Sequence, residues 1–372
     1  MAPVRRARQR PLSDSLEIRT LTDGGQGAED VAQQVASFLR AATRSLDLAQ
    51  YDFHLAPETA EIVGGAIKEA AARGVAVRMI YDVGHRNPIP VPPPPEPDVK
   101  LISSLGVPHR PIAGIPDLMH HKYAVRDGQA VWTGSTNWTD DSWLRQENVI
   151  LIVESAKIAA DFTADFEELW AKGIVEESGF IEPNPVRISG NQVRAWFTPG
   201  YGEALSRRIA KRIRRAESRV RICSPVMTVA PVLSALSERV SEGLDIAGCL
   251  DRPQIEGVIY QWGIDGNAAW KLPLLRQALK ADFSAKPSTP WGENTVHDFM
   301  HAKVTVVDDV LFAGSFNLSR SGEQNAENVL EIEDAPLADR LAAFVDDVRA
   351  RYPRFTPNPG SDPVKPHGVR PR

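Results

Sequence analysis

Two stretches decide how this chain is read: MHHKYAVRDGQAVWTGSTNWTDDSWLRQENVILIV, which starts at Met119, and MHAKVTVVDDVLFAGSFNLSRSGEQNAENVLEIED, which starts at Met300. Each carries H-x-K-x4-D, then G-S-x-N, then an E-N pair. The first copy holds His120, Lys122, Asp127, Gly134, Ser135, Asn137 and Glu147. The second holds His301, Lys303, Asp308, Gly314, Ser315, Asn317 and Glu327. The histidines and the lysines lie 181 residues apart, the asparagines and the glutamates 180. One deletion in the turn after the aspartate accounts for the change: six residues separate Asp127 from Gly134, five separate Asp308 from Gly314. A period of half the chain is an internal duplication, so the fold is expected to be two versions of one unit.

The flanks repeat as well. Val31–Ala42 has helical apolar spacing, Ser45–Tyr51 alternates like a strand, Glu58–Arg73 is an Ala-rich helix, and Val75–Tyr81 is a strand running into Asp82. The second half replays this order with Gly202–Arg215, Arg219–Ser224, Ala230–Glu242 and Leu244–Leu250, which runs into Asp251. Both motif copies lead into a helix, Ala156–Ala171 and Pro336–Arg351. Strand–helix–strand alternation predicts an α/β fold of two similar αβα lobes related by a pseudo-twofold axis. The expected division is a basic N-terminal segment (1–15), a first lobe (16–176), a linker (177–192) broken by Pro183, Pro185 and Gly190, a second lobe (193–352) and a Pro-rich tail (353–372). The proline stretch His85–Asp98 and a longer insert after Asp251, with Tyr260, Trp262, Trp270 and Trp291, stand outside the repeat. Both follow strand C-termini, where α/β sites sit, so both could shape a cleft.

The motif spacing has a chemical meaning. Alternate residues of a strand share a face, so His and Lys are expected to project together, and Ser and Asn likewise on the next strand. The glycine lets the backbone approach closely. Two such surfaces suit a phosphodiester. The lysines offset the phosphate charge, asparagines and serines bond its oxygens, one neutral histidine attacks phosphorus, and the other donates a proton to the leaving oxygen. No cofactor is implied, and no carboxylate cluster of metal-site spacing is apparent.

At these residues the chain resembles the phospholipase D superfamily over nearly its whole length. The resemblance implies an active site at the interface of the lobes and a covalent phosphohistidine. It implies His120 as nucleophile, His301 as general acid and later base, and Lys122, Lys303, Asn137 and Asn317 as the phosphate cradle. It further implies the pairs His120–Glu327 and His301–Glu147, with Asp127 and Asp308 structural. His121, replaced by Ala302 in the second copy, reads as structural.

The bulk numbers narrow the class. With 372 residues, 42% hydrophobic and 24% charged, the chain is ordinary for a globular protein. A net charge of -5 argues mildly against a protein that coats nucleic acid. No apolar run reaches spanning length, and the basic N-terminus lacks the apolar core of a secretory signal, so the expected location is cytoplasmic or peripheral to a membrane. Cys223 and Cys249 have no metal-site spacing and read as buried thiols. The stretch Arg207–Arg221 reads as a basic helix whose charges line a solvated outer face, the alternative being a grip on nucleic acid or an anionic membrane. Phospholipid is the favoured substrate, by hydrolysis or phosphatidyl transfer. A nuclease is the second reading, and a non-catalytic binder of phosphorylated ligands the third. No partner protein is implied.

Overall fold

The computed structural model describes residues 14–84, 97–264, 266–289 and 295–356. The first half contributes strands β1 (Ser15–Leu21), β2 (Ser45–Gln50), β3 (Ala76–Val83), β4 (His109–Ala113), β5 (Lys122–Arg126), β6 (Ala130–Gly134) and β7 (Asn148–Glu154). The second contributes β8 (Val186–Ile188), β9 (Asn191–Thr198), β10 (Arg219–Cys223), β11 (Asp245–Asp251), β12 (Asp282–Lys286), β13 (Val304–Val307), β14 (Val310–Gly314) and β15 (Glu327–Glu333). The first sheet runs β1-β7-β6-β5-β2-β3-β4 and the second β8-β9-β15-β14-β13-β10-β11-β12. Raising each label of the first sheet by eight gives the second, with β8 added at its edge. The duplication therefore extends to the strand order of both large sheets.

Helices α1 (Ala28–Arg40) and α2 (Pro57–Ala72) cover the outer face of the first sheet. Their apolar stripes dictate this: Val31, Ala32, Val35, Ala36 and Leu39 recur at helical spacing and are buried. Short helices α3 (Val99–Ser104) and α4 (Asp140–Leu144) follow, then α5 (Ala156–Lys172). In the second half, α6 (Gly202–Arg214) and α7 (Ala230–Ser241) do for their sheet what α1 and α2 do for the first. Next come α8 (Arg252–Ile264), α9 (Leu272–Ala278), α10 (Arg320–Gln324) and α11 (Ala335–Arg351). The inner faces of both sheets share one core with α5 and α11, where Phe162, Phe166, Leu341 and Val345 meet Val125, Phe197 and Ile332. The Phe162 and Phe197 rings, one from each half, are 4.9 Å apart and edge-to-face. Because this apolar layer belongs to both halves, burying it fixes one lobe against the other.

Several expectations change in the structure. Within 177–192, β8 forms a hairpin with β9. Ser189 and Gly190 are its turn, both with positive φ (50° and 92°), which is why that glycine does not break the element. The basic stretch is a helix only as far as Arg214, and Arg219 and Arg221 lie on β10. Its arginines are largely ion-paired: Arg208 and Arg212 with the buried Glu331, Arg221 with Asp346 and Asp245. The tail does not leave the fold at residue 353, because Arg354 bridges Ser284 and Phe355 is buried against the second lobe. Residues 1–13, most of the proline stretch (85–96), Trp291 and the tail from 357 onward lie outside the described residues. In the insert Trp262 is packed, whereas Trp270 is 58% exposed.

Candidate active site at the lobe interface

The motif aspartates set the local frame. Asp127 has φ 58° and Asp308 φ 50°, so each turns the chain sharply between paired strands. The Asp127 carboxylate accepts from the backbone amides of Thr43, Arg44 and Ser45 at 3.0, 2.6 and 3.0 Å. Asp308 accepts from those of Glu217, Ser218 and Arg219 at 2.8, 2.9 and 3.0 Å. Burial alone would raise both carboxyls, but these bonds hold them below the usual range. Each aspartate thus anchors the start of the central strand β2 or β10 from a partly exposed turn.

Gly134 and Gly314 end β6 and β14. A Cβ there would lie 2.1 Å from the carbonyl oxygen of Val149 or Asn328, so only glycine fits. Ser135 and Ser315 follow, beyond the strand, and their hydroxyls turn inward to accept the amides of Val149 (2.9 Å) and Asn328 (3.0 Å). The serines therefore tie neighbouring strands together, and Ser135 also donates to Asn148 Oδ1 at 2.7 Å. Asn137 and Asn317 lie in the loops beyond and are half-buried, in matching positions.

The histidines do not sit on the strands. β5 begins at Lys122 and β13 at Val304, and each histidine is on the extended segment before. Those segments reach across to the other lobe. The His120 amide donates to the carbonyl of Ala326 at 2.9 Å, and the His301 amide to that of Glu147 at 3.2 Å. Behind them, the Met119 amide donates to Asp82 (2.8 Å) and the Met300 amide to Asp251 (3.2 Å). These two aspartates were not singled out from sequence. The available signal was that the matching strands β3 and β11 run into an aspartate in both copies.

The side chains then converge. His120 Nδ1 lies 2.8 Å from Glu327 Oε2, and both residues are buried. Lys122 Nζ donates to the carbonyl of its own His120 (2.6 Å), and Lys303 Nζ to that of His301 (2.7 Å). His301 Nδ1 lies 3.2 Å from Asn148 Oδ1, not against Glu147 as the resemblance implied. Glu147 instead meets Lys286 Nζ at 3.0 Å and the Tyr352 hydroxyl. His121 faces away from the site, as expected of a structural residue: its Nε2 is 3.0 Å from Asp165 and its Nδ1 3.1 Å from the Asn328 amide.

Electrostatics report a site built for an anion. Burial pushes the Lys122 ammonium down to about 7, against the pull of Glu327, Asp52 and Asp82. Burial, and then Lys122, hold Lys303 well below the usual lysine range. His301 is held well below the usual histidine range by burial, then by Lys303, Lys122, His120 and His297. Lys303, Lys122 and His120 all act on His301, in keeping with the strand contacts that bring both motif copies to the lobe interface. Burial lifts Glu327 to about 7, opposed by Lys122, Ser315 and Lys303. A phosphate between the lysines would relieve their mutual repulsion.

A family model, the PLD-like domain of cardiolipin synthase, matches residues 35–170 and again 209–348, which is most of the chain in two repeats. The chain belongs to the phospholipase D-like family. Among its relatives in that family is a mitochondrial cardiolipin hydrolase of Homo sapiens, 27% identical over 176 residues that span 45% of this chain and 65% of that protein. The chain thus spans just under two thirds of that relative's length. A phospholipase D of Rickettsia bellii is 28% identical over 158 residues, 42% of this chain and 68% of that protein. The phosphatidylserine synthase of Haemophilus influenzae shares the fold, with TM-score 0.61 and 14% identity over 90% of this chain and 85% of that one. Among the described residues no helix is long and apolar enough to cross a membrane.

Proposed function

We propose that the protein is a phosphodiesterase that forms a covalent phosphohistidine on His120 and acts on phospholipids, by hydrolysis or phosphatidyl transfer. The observation that carries the mechanism is the 2.8 Å contact of His120 Nδ1 with Glu327 across the lobe interface. With Nδ1–H given to a carboxylate, the neutral ring presents Nε2 as the nucleophile, and Glu327 offsets the positive charge that develops once phosphorus is bonded. Lys122 and Lys303 hold the phosphate oxygens. The amides of Asn137 and Asn317 extend that cradle.

The steps balance without further groups. His120 Nε2 bonds to phosphorus as the bond to the leaving oxygen breaks, and protonated His301 gives that oxygen its proton. Water or an alcohol then attacks phosphorus, His301 takes its proton back, and the P–N bond breaks. In this scheme the charge of the diester is met by two lysines, so no divalent ion is required.

The lipid reading is supported by the cardiolipin hydrolase and phospholipase D relatives. It is supported also by the ion-paired state of the basic stretch, which leaves less free positive surface than a nucleic acid would call for. The test is a substrate panel in excess EDTA: phosphatidylcholine, cardiolipin, single-stranded DNA and RNA, and bis-p-nitrophenyl phosphate. Phosphatidic acid, or a phosphatidyl alcohol when a primary alcohol is added, is the expected product. Cleavage of nucleic acid with no phosphatidic acid from any lipid would overturn the substrate class. Complete loss of turnover in EDTA, restored by one metal, would overturn the mechanism.

A further inference from the structure

The two halves match at every motif position, yet they treat their glutamates differently. Glu327 faces His120, while its counterpart Glu147 faces away from His301. The cause is visible. Lys286, 3% exposed in its side chain, reaches Glu147 Oε2 at 3.0 Å, Asp23 Oδ2 at 3.1 Å and the Arg145 carbonyl at 3.1 Å. An ammonium has three protons, and these three acceptors use them. The other oxygen of Glu147 takes the Tyr352 hydroxyl and, at 3.5 Å, the Asp23 amide. Arg145 closes the cluster on Asp23 at 2.7 Å.

The positions that would match Lys286 and Asp23 beside Glu327 hold other residues. Strand register makes Asp251 opposite Lys286 equivalent to Asp82 opposite Ile112, so a buried isoleucine stands where the second lobe has its lysine. By the same reasoning Leu21, opposite Asn148, matches Phe197, opposite Asn328, which puts Pro199 in the place of Asp23.

We propose that Lys286 is a positioning residue: it withdraws Glu147 from His301 and so makes the two histidines chemically unequal. This rests on the phosphohistidine reading given above. His120 keeps a carboxylate at its back and is suited to bear the P–N bond. His301 Nδ1 meets instead the neutral Asn148 oxygen, which also accepts from Ser135 Oγ at 2.7 Å. The charged and titratable groups acting on His301 are Lys303, Lys122, His120 and His297. Around Glu147 they are Lys286, Tyr352, Asp23 and Arg145, with Asp251 and the thiols of Cys249 and Cys223 nearby. Against this background His301 stays neutral in the empty site, and once protonated gives up its proton readily. It therefore gains its proton as the phosphate anion arrives and passes it to the leaving oxygen. Without Lys286, the freed Glu147 carboxylate would hold a proton on His301 whether or not substrate is present.

The test needs no substrate, so its failure is separate from failure of the assigned activity. In the ligand-free full chain with 15N-labelled histidine, His301 is followed by NMR against pH and assigned with His301→Gln. In the wild type His301 is expected to titrate below the ordinary histidine range. Lys286→Gln, which keeps a donor for the Arg145 carbonyl, should raise its midpoint by about one unit, a tenfold change in proton affinity. Adding Glu147→Gln to that variant should reverse the rise. A midpoint unmoved in a folded Lys286→Gln protein, or a rise that survives Glu147→Gln, would overturn the proposal. Should Lys286→Gln not fold, the wild type decides: one far-downfield Nδ1 proton lost in Glu327→Gln supports the inference, and a second such proton on His301 overturns it.

Discussion

The ring of His120 stands edge-on to that of Tyr51, with centroids 4.5 Å apart and planes at 61°. Lys122 Nζ lies 4.6 Å from the same Tyr51 ring. One aromatic side chain therefore holds both the proposed nucleophile and one phosphate lysine. The register that pairs Gln50 with Lys122 and Cys223 with Val304 puts Pro225 in the place of Tyr51 in the second lobe. Removing the ring in Tyr51→Ala should loosen His120, and a misplacement of about an ångström costs up to a hundredfold in rate. The expected loss in kcat is about tenfold to a hundredfold with the fold intact, read by steady-state kinetics alongside circular dichroism. An unchanged kcat would show that His120 is held well enough by Glu327 alone.

The histidines should be separable by leaving group. His120→Ala is expected to abolish turnover and any acid-labile phosphoenzyme. His301→Ala should still form adduct from a p-nitrophenyl ester, because a weakly basic leaving group needs little protonation. Rapid-quench trapping with labelled substrate reads both. Label on His301 in a His120→Ala background would reverse the assignment.

The pH dependence has a worked sign. Lys122 must be charged to hold phosphate, and its proton is lost as pH rises through about 7. His301 must be protonated to serve the leaving group, and burial and the neighbouring lysines lower its affinity for that proton. Both effects point the same way, so kcat/KM should fall as pH rises, first through the lowered range of His301 and again through about 7 as Lys122 loses its proton. In kcat the fall should come at higher pH, because bound phosphate restores both protons. A kcat/KM flat from pH 6 to 9 would contradict the charge assignments.

Asp127→Ala separates stability from chemistry. It strips the acceptor from three backbone amides at the start of β2. The expected cost is about 2 kcal/mol, seen as a lower urea midpoint at unchanged slope. The kcat of the folded variant should stay within about twofold of wild type. A hundredfold loss in kcat would mean that Asp127 reaches the site in a way its position does not suggest.

Reversing the exposed charges of α6, in Arg207→Glu with Lys211→Glu, should leave turnover of a short-chain, monomeric phospholipid nearly unchanged. If polyanion binding were the function, the same change would weaken DNA or RNA binding and flatten its salt dependence. Filter binding at several salt concentrations distinguishes the two.

The sequence by itself determined the duplication, the α/β class and the motif residues. A repeat with a constant offset of 180 or 181 survives in the linear order of residues, and strand and helix periods are local. The replacement of His121 by Ala302 in the second copy also marked His121 as no twin of His120, while a structural role for Asp127 and Asp308 came from the family resemblance. Three things were decided by tertiary structure. The inward turn of Ser135 and Ser315 depends on the amides of a strand that pairs only after folding. The hairpin at Ser189–Gly190 turns apparent chain breakers into a tight turn. The contrast between Glu327 and Glu147, identical in motif context, comes from Lys286, Tyr352 and Asp23, which are far apart along the chain and brought together by the second sheet and α11. Motifs record which groups chemistry needs. Which of two equal groups meets a counter-charge is settled by packing between distant residues, and periodicity and spacing carry no trace of that.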